Sequence, residues 1–459
     1  MRKTKIRNKK SGVRMRTRFI LFVPFLLFTF SLSLGSDPVP APKQKKPIAI
    51  VGATIHPVSG PEIANGTILF DKGKIVALGA NVVIPAGVDR IDAAGKQVYP
   101  GLISAFSNLG LVEIPLGAPG TEDMAEAGFI NPNARVEVAV QPESELIPVA
   151  RSYGFTVAGV TPFGGMIAGT SAAVMLDGWT WEDMLLKSGL GLMVHWPEVV
   201  YTPPRNPFST QTKDDWMKNR DTQLKNLRDA FAQARAYWVA KKSESQKSIP
   251  YHDADKRWDA MVQVFEGKTP VWVVANDVAQ IQAAVTWAEQ ENVKLVILGG
   301  QDAWRVADQL KAKNIPVIIT GTLAGPAYRW EPYSEAFELP KKLKAAGVQF
   351  CVAGIYAEDN AAYTRHVRHH AAIAAAYGLP KDDALKSITL YAAQVLGIAE
   401  NVGSLEPGKD ATLIVTNGDP LELETTVEQV FIQGKKCDMR DKQKQLLEKY
   451  TEKYRQIKE

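Results

Sequence analysis

The chain has 459 residues, 46% of them hydrophobic, with 35 Gly and 28 Pro. That suffices for a large core and excludes a collagen-like or disordered chain. The formal net charge of +5 arises in residues 1–35, which hold nine Lys/Arg and no acid; the rest carries 45 basic against 49 acidic residues, a net of −4. The basic balance is therefore no sign of a nucleic-acid partner.

Residues 1–35 read as a secretory signal peptide. Arg2 to Arg18 form a basic region, Phe19 to Leu34 an apolar run interrupted by Pro24, and Ser33, Gly35 and Ser36 supply small residues. Cleavage near Gly35 and a location in the periplasm or outside the cell follow as expectations. The alternative is an uncleaved N-terminal anchor, the one membrane contact expected, although the run is marginal for a span. Residues 36–46, rich in Pro and Lys, predict an extended linker. Cys351 and Cys437 are the only cysteines and make no disulfide framework.

Residues 47–97 alternate apolar and polar positions between Asn-Gly and Lys-Gly breaks, as do residues 401–437. They predict a small composite β-sandwich formed from both chain ends. From 98 to 400 short apolar runs alternate with helical patterns, a series that predicts an α/β fold with parallel strands. Four tidy units begin with "TPVWVVAND", "KLVILGG", "PVIITGT" and "VQFCVAG". Earlier strands are expected at Val98–Asn108, Val136–Gln141, Thr156–Pro162 and Leu192–Trp196. The count of eight predicts a (β/α)8 TIM-type barrel, with an open doubly wound sheet as the alternative. Residues 212–266 break the rhythm as a helical insert whose stripe is Leu224, Leu227, Phe231, Ala234 and Trp238. It reads as a cover for the barrel, with a lid as the alternative. Residues 438–459 predict a charged C-terminal helix without chemistry.

Three motifs carry a family resemblance: "GKQVYPGLISA" (Gly95 to Ala105), "AYGLPKDDALKSITLYAAQVLGI" (Ala376 to Ile398) and "VGSLEPGKDATLIV" (Val402 to Val415). With them the chain resembles the amidohydrolase superfamily, nearest its imidazolonepropionase and prolidase-like branches. The resemblance implies hydrolysis of C–N bonds other than peptide bonds in a small amide, cyclic amide or dipeptide. It also implies zinc or another divalent metal at the C-terminal ends of the strands. The family's ligand positions fall here on Phe106 and Asn108 (first strand), Val274 (fifth), Gly299 (sixth) and Gly354 (after the eighth). Side chains of Phe, Val and Gly cannot ligate a divalent ion, and Asn is a weak neutral donor. No metal or other cofactor is expected from these residues.

The six histidines do not repair the loss. His56 lies in the β segment, His252 beside Asp253 and Asp255, and His366, His369 and His370 on a basic helix outside the barrel. His195 alone, in "LMVHW", is placed to reach the mouth. Other weak catalytic candidates are Glu113, Asp123 and Asp359. In the loop Gly164, Gly165, Gly169, Thr170 and Ser171, the backbone amides of Gly164 to Gly169 could hold an anion, and Thr170 and Ser171 offer hydroxyls, with a Ser nucleophile lacking a placed base; the plainer reading is a structural loop. Trp179, Asn108 and Asn276 are expected to line the mouth.

Three readings compete: a hydrolase without the usual binuclear metal site, a non-catalytic paralogue, and an envelope interaction protein using the insert. The paralogue would bind a small ligand, or stabilise or regulate an active amidohydrolase in a homo- or hetero-oligomer.

Overall fold

The computed structural model describes residues 39–115, 119–201, 210–244, 253–326 and 329–458. Residues 1–35 and 36–459 separate into two units. The expected leader lies outside the described residues, as does His252. Residues 39–46, expected as a linker, are a docked strap. Ala41 N–H donates to Asp177 Oδ1 at 3.2 Å, and Gln44 donates to the Phe70 carbonyl at 3.0 Å while accepting from Gly73 N–H at 2.9 Å.

Strands β1 (Ile48–Ile55), β2 (Ile63–Asp71) and β3 (Lys74–Gly79) form two antiparallel pairs. The β2–β3 turn needs positive φ at Lys72 (48°) and Gly73 (80°), which explains its Lys-Gly pair. β4 (Asp89–Asp92) and β5 (Gln97–Pro100) run parallel to β1.

The expected strand at Val98–Asn108 is broken at Gly101, and β6 (Leu102–Ser107) starts a different sheet. A Cβ at Gly101 would collide with the Thr156 side chain, so the crossing between sheets requires glycine. The expected strand at Val136–Gln141 is instead a 3-10 turn at Val136–Ala139. Its period-2 pattern misleads because Glu137 is buried, paired with Arg135 at 2.7 Å.

Helix α1 (Leu146–Ser152) leads into β7 (Phe155–Val160), parallel to β6. The next segment reverses: β8 (Ile167–Thr170) and β9 (Ala172–Met175) flank Ser171 and run antiparallel to their neighbours. α2 (Trp181–Met184), β10 (Leu185–Lys187) and β11 (Leu192–His195) follow.

The insert is α3 (Lys213–Glu244) and α4 (Lys256–Phe265). After β12 (Val271–Ala275) and α5 (Val278–Glu291) come β13 (Leu295–Gly299), α6 (Ala307–Ala312), β14 (Val317–Ile319), α7 (Glu335–Ala346) and β15 (Phe350–Val352). The insert stripe packs outward of β12: Leu227, Phe231 and Ala234 are buried, and the Phe231 ring meets Trp287 of α5 edge-on at 4.8 Å. Arg235 pairs with Glu291 at 3.0 Å. The insert is thus a side cover, and its apolar stripe is consumed by packing. α8 (Asn360–Tyr363), α9 (Val367–Ala376), α10 (Lys381–Ser387) and α11 (Leu390–Val395) precede β16 (Leu413–Thr416), β17 (Val427–Ile432), β18 (Lys435–Lys436) and α12 (Lys442–Lys458).

The strands form three sheets. The eight-stranded sheet has the order β18-β17-β16-β5-β1-β2-β3, with β4 beside β1, so strands near both chain ends share it. It curls on itself: Phe70 of β2 and Phe431 of β17 sit four strand positions apart along the path, yet their rings meet at 5.4 Å. A four-stranded sheet, β10-β9-β7-β6, and a six-stranded sheet, β15-β14-β13-β12-β11-β8, are joined through the reversed segment 167–175. No ladder links β15 to β6 among the described residues, so the strands do not close hydrogen bond by hydrogen bond.

Side-chain alternation nonetheless divides two cores. Ile103, Ala105, Val157, Met193, Trp272, Val296, Leu298, Ile318 and Cys351 face one another inside. Phe155, Val271, Val273, Ile297, Val317 and Phe350 face outward beneath the helices. Such two-sided burial is what makes these strands continuous apolar runs in sequence. Cys351 and Cys437 are both buried and unbridged.

Candidate functional site

The C-terminal ends of β6, β7 and β11–β15 carry the site. At the first-strand position the Phe106 ring, fully buried, stacks on Tyr356 at 5.4 Å and lies 5.9 Å from Phe163; Phe163 and Tyr356 stack at 5.1 Å. These three rings pack the floor of the mouth. Asn108, also fully buried, donates from Nδ2 to the Glu358 carbonyl, pinning the loop after β15.

The remaining family positions are filled by neighbours. Gly299 has φ of 106°, and a Cβ there would collide with Asn276 Oδ1. Gly354 leaves room for Asn360, whose Nδ2 would stand 2.9 Å from a Cβ and donates to the Ile355 carbonyl. Val274 is half-buried against the inner core.

His195 ends β11 and, among the described residues, is the one histidine brought to this mouth. Its Nδ1 faces the Gly165 carbonyl at 2.9 Å and its Nε2 the Tyr356 hydroxyl at 2.5 Å. A carbonyl only accepts, so Nδ1 carries the proton and Nε2 accepts from Tyr356. Burial holds the His195 pKa below its ordinary value and pushes the Tyr356 phenol up. The result is a neutral hydrogen-bonded relay, Tyr356 to His195 to Gly165, at a partly open mouth with Val274 and Asn276.

The other expected site residues are dispersed. The Glu113 carboxylate accepts from Ser144 Oγ at 2.6 Å and Glu145 N–H at 3.0 Å, at the start of α1. Asp123 lies across a short bridge from it, with its N–H on the Leu111 carbonyl at 2.7 Å, and lines a shallow groove of about 300 Å³ with Glu126 and Arg135. Nothing joins the two carboxylates. Asp359 is half-buried just before α8.

Gly164 and Gly165 adopt positive φ (82° and 64°), and Gly165 serves His195 through its carbonyl rather than an anion through its amide. At Gly169 a Cβ would meet the Ala134 backbone, and Thr170 Oγ1 donates to the same Ala134 carbonyl at 3.3 Å. Ser171 exchanges backbone hydrogen bonds with Leu190 and Gly191, at the opposite end of β11 from His195. It therefore stands apart from His195.

Reversal of β9 moves Trp179 away from the mouth. It stands exposed on a groove of about 780 Å³ shared with the strap and the β2–β3 turn. A larger groove, about 1190 Å³, is lined by Pro270, Lys294, Pro316 and Gln349, which precede β12–β15, and so opens at the opposite end. His56 stacks on Tyr99 at 4.2 Å, and His366 on His369 at 5.6 Å, both outside the mouth. Tyr356, Phe163 and Asn360 were not singled out from sequence. The available signal was an aromatic residue two positions past Gly354, where the family carries its acid.

These residues do not fit a catalytic divalent ion. Among the described residues no group of three His, Cys, Asp or Glu converges. The single imidazole of the mouth has both nitrogens engaged, and the rest of the lining is rings, aliphatic groups and neutral amides.

The Amidohydrolase family model matches residues 334–437. The amidohydrolase tasK of Hapsidospora irregularis is 26% identical over 406 residues, 80% of this chain and 39% of that protein. This chain thus spans about two fifths of that relative's length. The crystal structure of an amidohydrolase from Thermotoga maritima MSB8 aligns with a TM-score of 0.75 at 25% identity, over 86% of this chain and 100% of the other. A prolidase complexed with N-methylphosphonate-L-proline aligns at 0.52 and 18%, over 85% and 99%, a likeness of fold alone. The motifs at 95–105 and 376–415, the matched segment and the alignment with the Thermotoga protein agree in supporting an assignment to the amidohydrolase superfamily.

Proposed function

We propose that this protein is an exported amidohydrolase-type scaffold that binds a small neutral amide, cyclic amide or dipeptide at the His195–Tyr356 mouth and does not hydrolyse it by the family's metal chemistry. The observation that carries this reading is the packed set Phe106, Phe163 and Tyr356, together with Asn276 and Asn360 in the volumes left by Gly299 and Gly354. Ligands that supply N–H donors and carbonyl acceptors match a site made of a phenol, an imidazole and amides. We read the four- and six-stranded sheets as two arcs of one barrel of eight strands with its third strand reversed, and the curled eight-stranded sheet as the composite β-sandwich. The common inner core of the two arcs supports the first reading. Residues 1–35 would direct export and be removed near Gly35.

A second reading, a stabilising partner of an active amidohydrolase, draws on exposed apolar side chains among the loops after β6, namely Ile114, Phe129 and Val138. Elemental mass spectrometry of the purified mature chain, loaded with zinc, manganese and iron, tests the first. Metal far below one equivalent, with thermal stabilisation by neutral amides that Y356F weakens, is the expected result. Near-stoichiometric metal and chelator-sensitive turnover would overturn it. Co-purification with an intact amidohydrolase would favour the second.

A further inference from the structure

The C-terminal helix carries a feature that its composition conceals. α12 starts from a buried residue, Asp441, which caps its first turn by accepting from Lys444 N–H at 2.9 Å. From Leu446 to Ile457 every residue is exposed. This exposed stretch is about 18 Å long. Five of its large apolar side chains stand in water: Leu446 at 42% exposure, Leu447 at 68%, Tyr450 at 48%, Tyr454 at 61% and Ile457 at 68%. At about 100° per residue these five fall within one stripe about 100° wide.

The charges are sorted around that stripe. Lys442, Lys449 and Lys453 lie along one border, within about 60° of it; beyond the other, Lys444 is paired with Asp441 at 3.4 Å and Arg455 with Glu452 at 2.8 Å. Glu448 and Glu452 lie on the opposite face, about 150–170° from the centre of the stripe. The Lys453 ammonium sits 5.8 Å and 5.9 Å from the Tyr450 and Tyr454 rings, so its stem already follows the apolar surface. An apolar centre, one cationic border, acids at the back and tyrosines between form the arrangement of a helix lying in a bilayer interface. Pairing with a second copy of the helix would set the border lysines against one another, which disfavours self-association.

We infer that α12 docks flat on an anionic lipid surface, with Leu446, Leu447, Tyr450, Tyr454 and Ile457 entering the interface and the border cations meeting lipid phosphates. No described helix is long and apolar enough to cross a membrane, so this contact is peripheral. It does not depend on the reading of the mouth.

The test uses the full chain with a cysteine introduced by Ile457→Cys and labelled with an environment-sensitive fluorophore. The two native cysteines are buried. A signal at position 457 reports α12 itself, whatever the leader does. With vesicles of phosphatidylcholine containing about one part in four of phosphatidylglycerol, the emission should shift to the blue; high salt or pure phosphatidylcholine should weaken binding roughly tenfold or more. Lys449→Glu with Lys453→Glu should do the same. A label introduced by Glu452→Cys, on the back of the helix, should stay unshifted. No shift at 457 with anionic vesicles overturns the inference. So does a shift that follows protein concentration without vesicles, which would assign the stripe to a protein contact.

Discussion

The Tyr356 hydroxyl stands 2.5 Å from His195 Nε2, and the direction of that hydrogen bond is set by a third group, the Gly165 carbonyl 2.9 Å from Nδ1. Because Nδ1 must donate to the carbonyl, Nε2 can only accept. Tyr356→Phe keeps the stacked ring and removes the donor. The half-buried Nε2 is then left unsatisfied, at a cost of about 1–3 kcal/mol. Urea unfolding should show a lower midpoint at unchanged slope. His195→Gln, which breaks the same bond from the other side, should not add to it in the double variant.

Much of this site was legible and some was not, for physical reasons. The placing of Phe106, Val274 and Gly299 near the ends of their strands could be read because a strand ending on an apolar run fixes its own offsets. The four units from β12 to β15 were legible for the same reason, each strand being buried on both faces. What fills the lost positions was not, since Asn276 over Gly299 is a contact between strands. Strand direction is equally silent: "MIAGTSAAVML" reads the same for a parallel or reversed strand, and only pairing with Val157–Val160 shows the reversal. That one fact moved Trp179 and Ser171 away from the mouth.

Gly299 tests whether a ligand side chain can be placed at a position that the family resemblance assigns to one. Its φ of 106° is strained for any L side chain, and Asn276 occupies the Cβ volume. Gly299→Ala should cost at least ~1–3 kcal/mol. Gly299→His should do so without gaining zinc affinity, so zinc should not raise its melting temperature. Gly60→Ala, with nothing within 4 Å of its Cβ, is the control and should be silent. A zinc-stabilised Gly299→His protein would show that the mouth is more plastic than its packing.

Acid should loosen the α9 region. Burial, then the charges of His366 and His369, lowers His370 to about 4 from 6.5; burial, then Arg368 and His366, lowers His369 to about 4. Arg365 adds to the unfavourable cationic field on His366. With folded pKa values below the unfolded ones, the unfolded chain takes up protons first as pH falls. The stability is therefore complete above about 6.5 and is lost between there and about 4. His370 is only 4% exposed and contributes on the order of 3 kcal/mol over that window; the more exposed His369 contributes less. Unfolding free energy measured from pH 7 to 5 should fall less steeply in His370→Gln than in the parent.

Asp177 decides whether the strap belongs to the fold. Its side chain is fully buried and gathers three partners from distant parts of the chain: Ala41 N–H at 3.2 Å, Arg151 Nη1 at 3.3 Å and Lys435 Nζ at 2.9 Å. Asp177→Asn keeps the shape and can still accept from Ala41, but leaves two buried cations facing a neutral amide. Removing one partner of such a network costs about 3–5 kcal/mol, because the uncompensated charges remain desolvated. Adding Arg151→Met removes one of those charges and should recover part of the loss. Tryptic cleavage at Lys43 and Lys45 separates local from global effects. If the network pins the strap, Asp177→Ala, which also deletes the acceptor for Ala41, should speed cleavage there under conditions where the helices remain intact by circular dichroism. A strap that stays protected in Asp177→Ala would instead be held by Gln44, whose bonds to Phe70 and Gly73 are independent of Asp177, and Gln44→Ala would then release it.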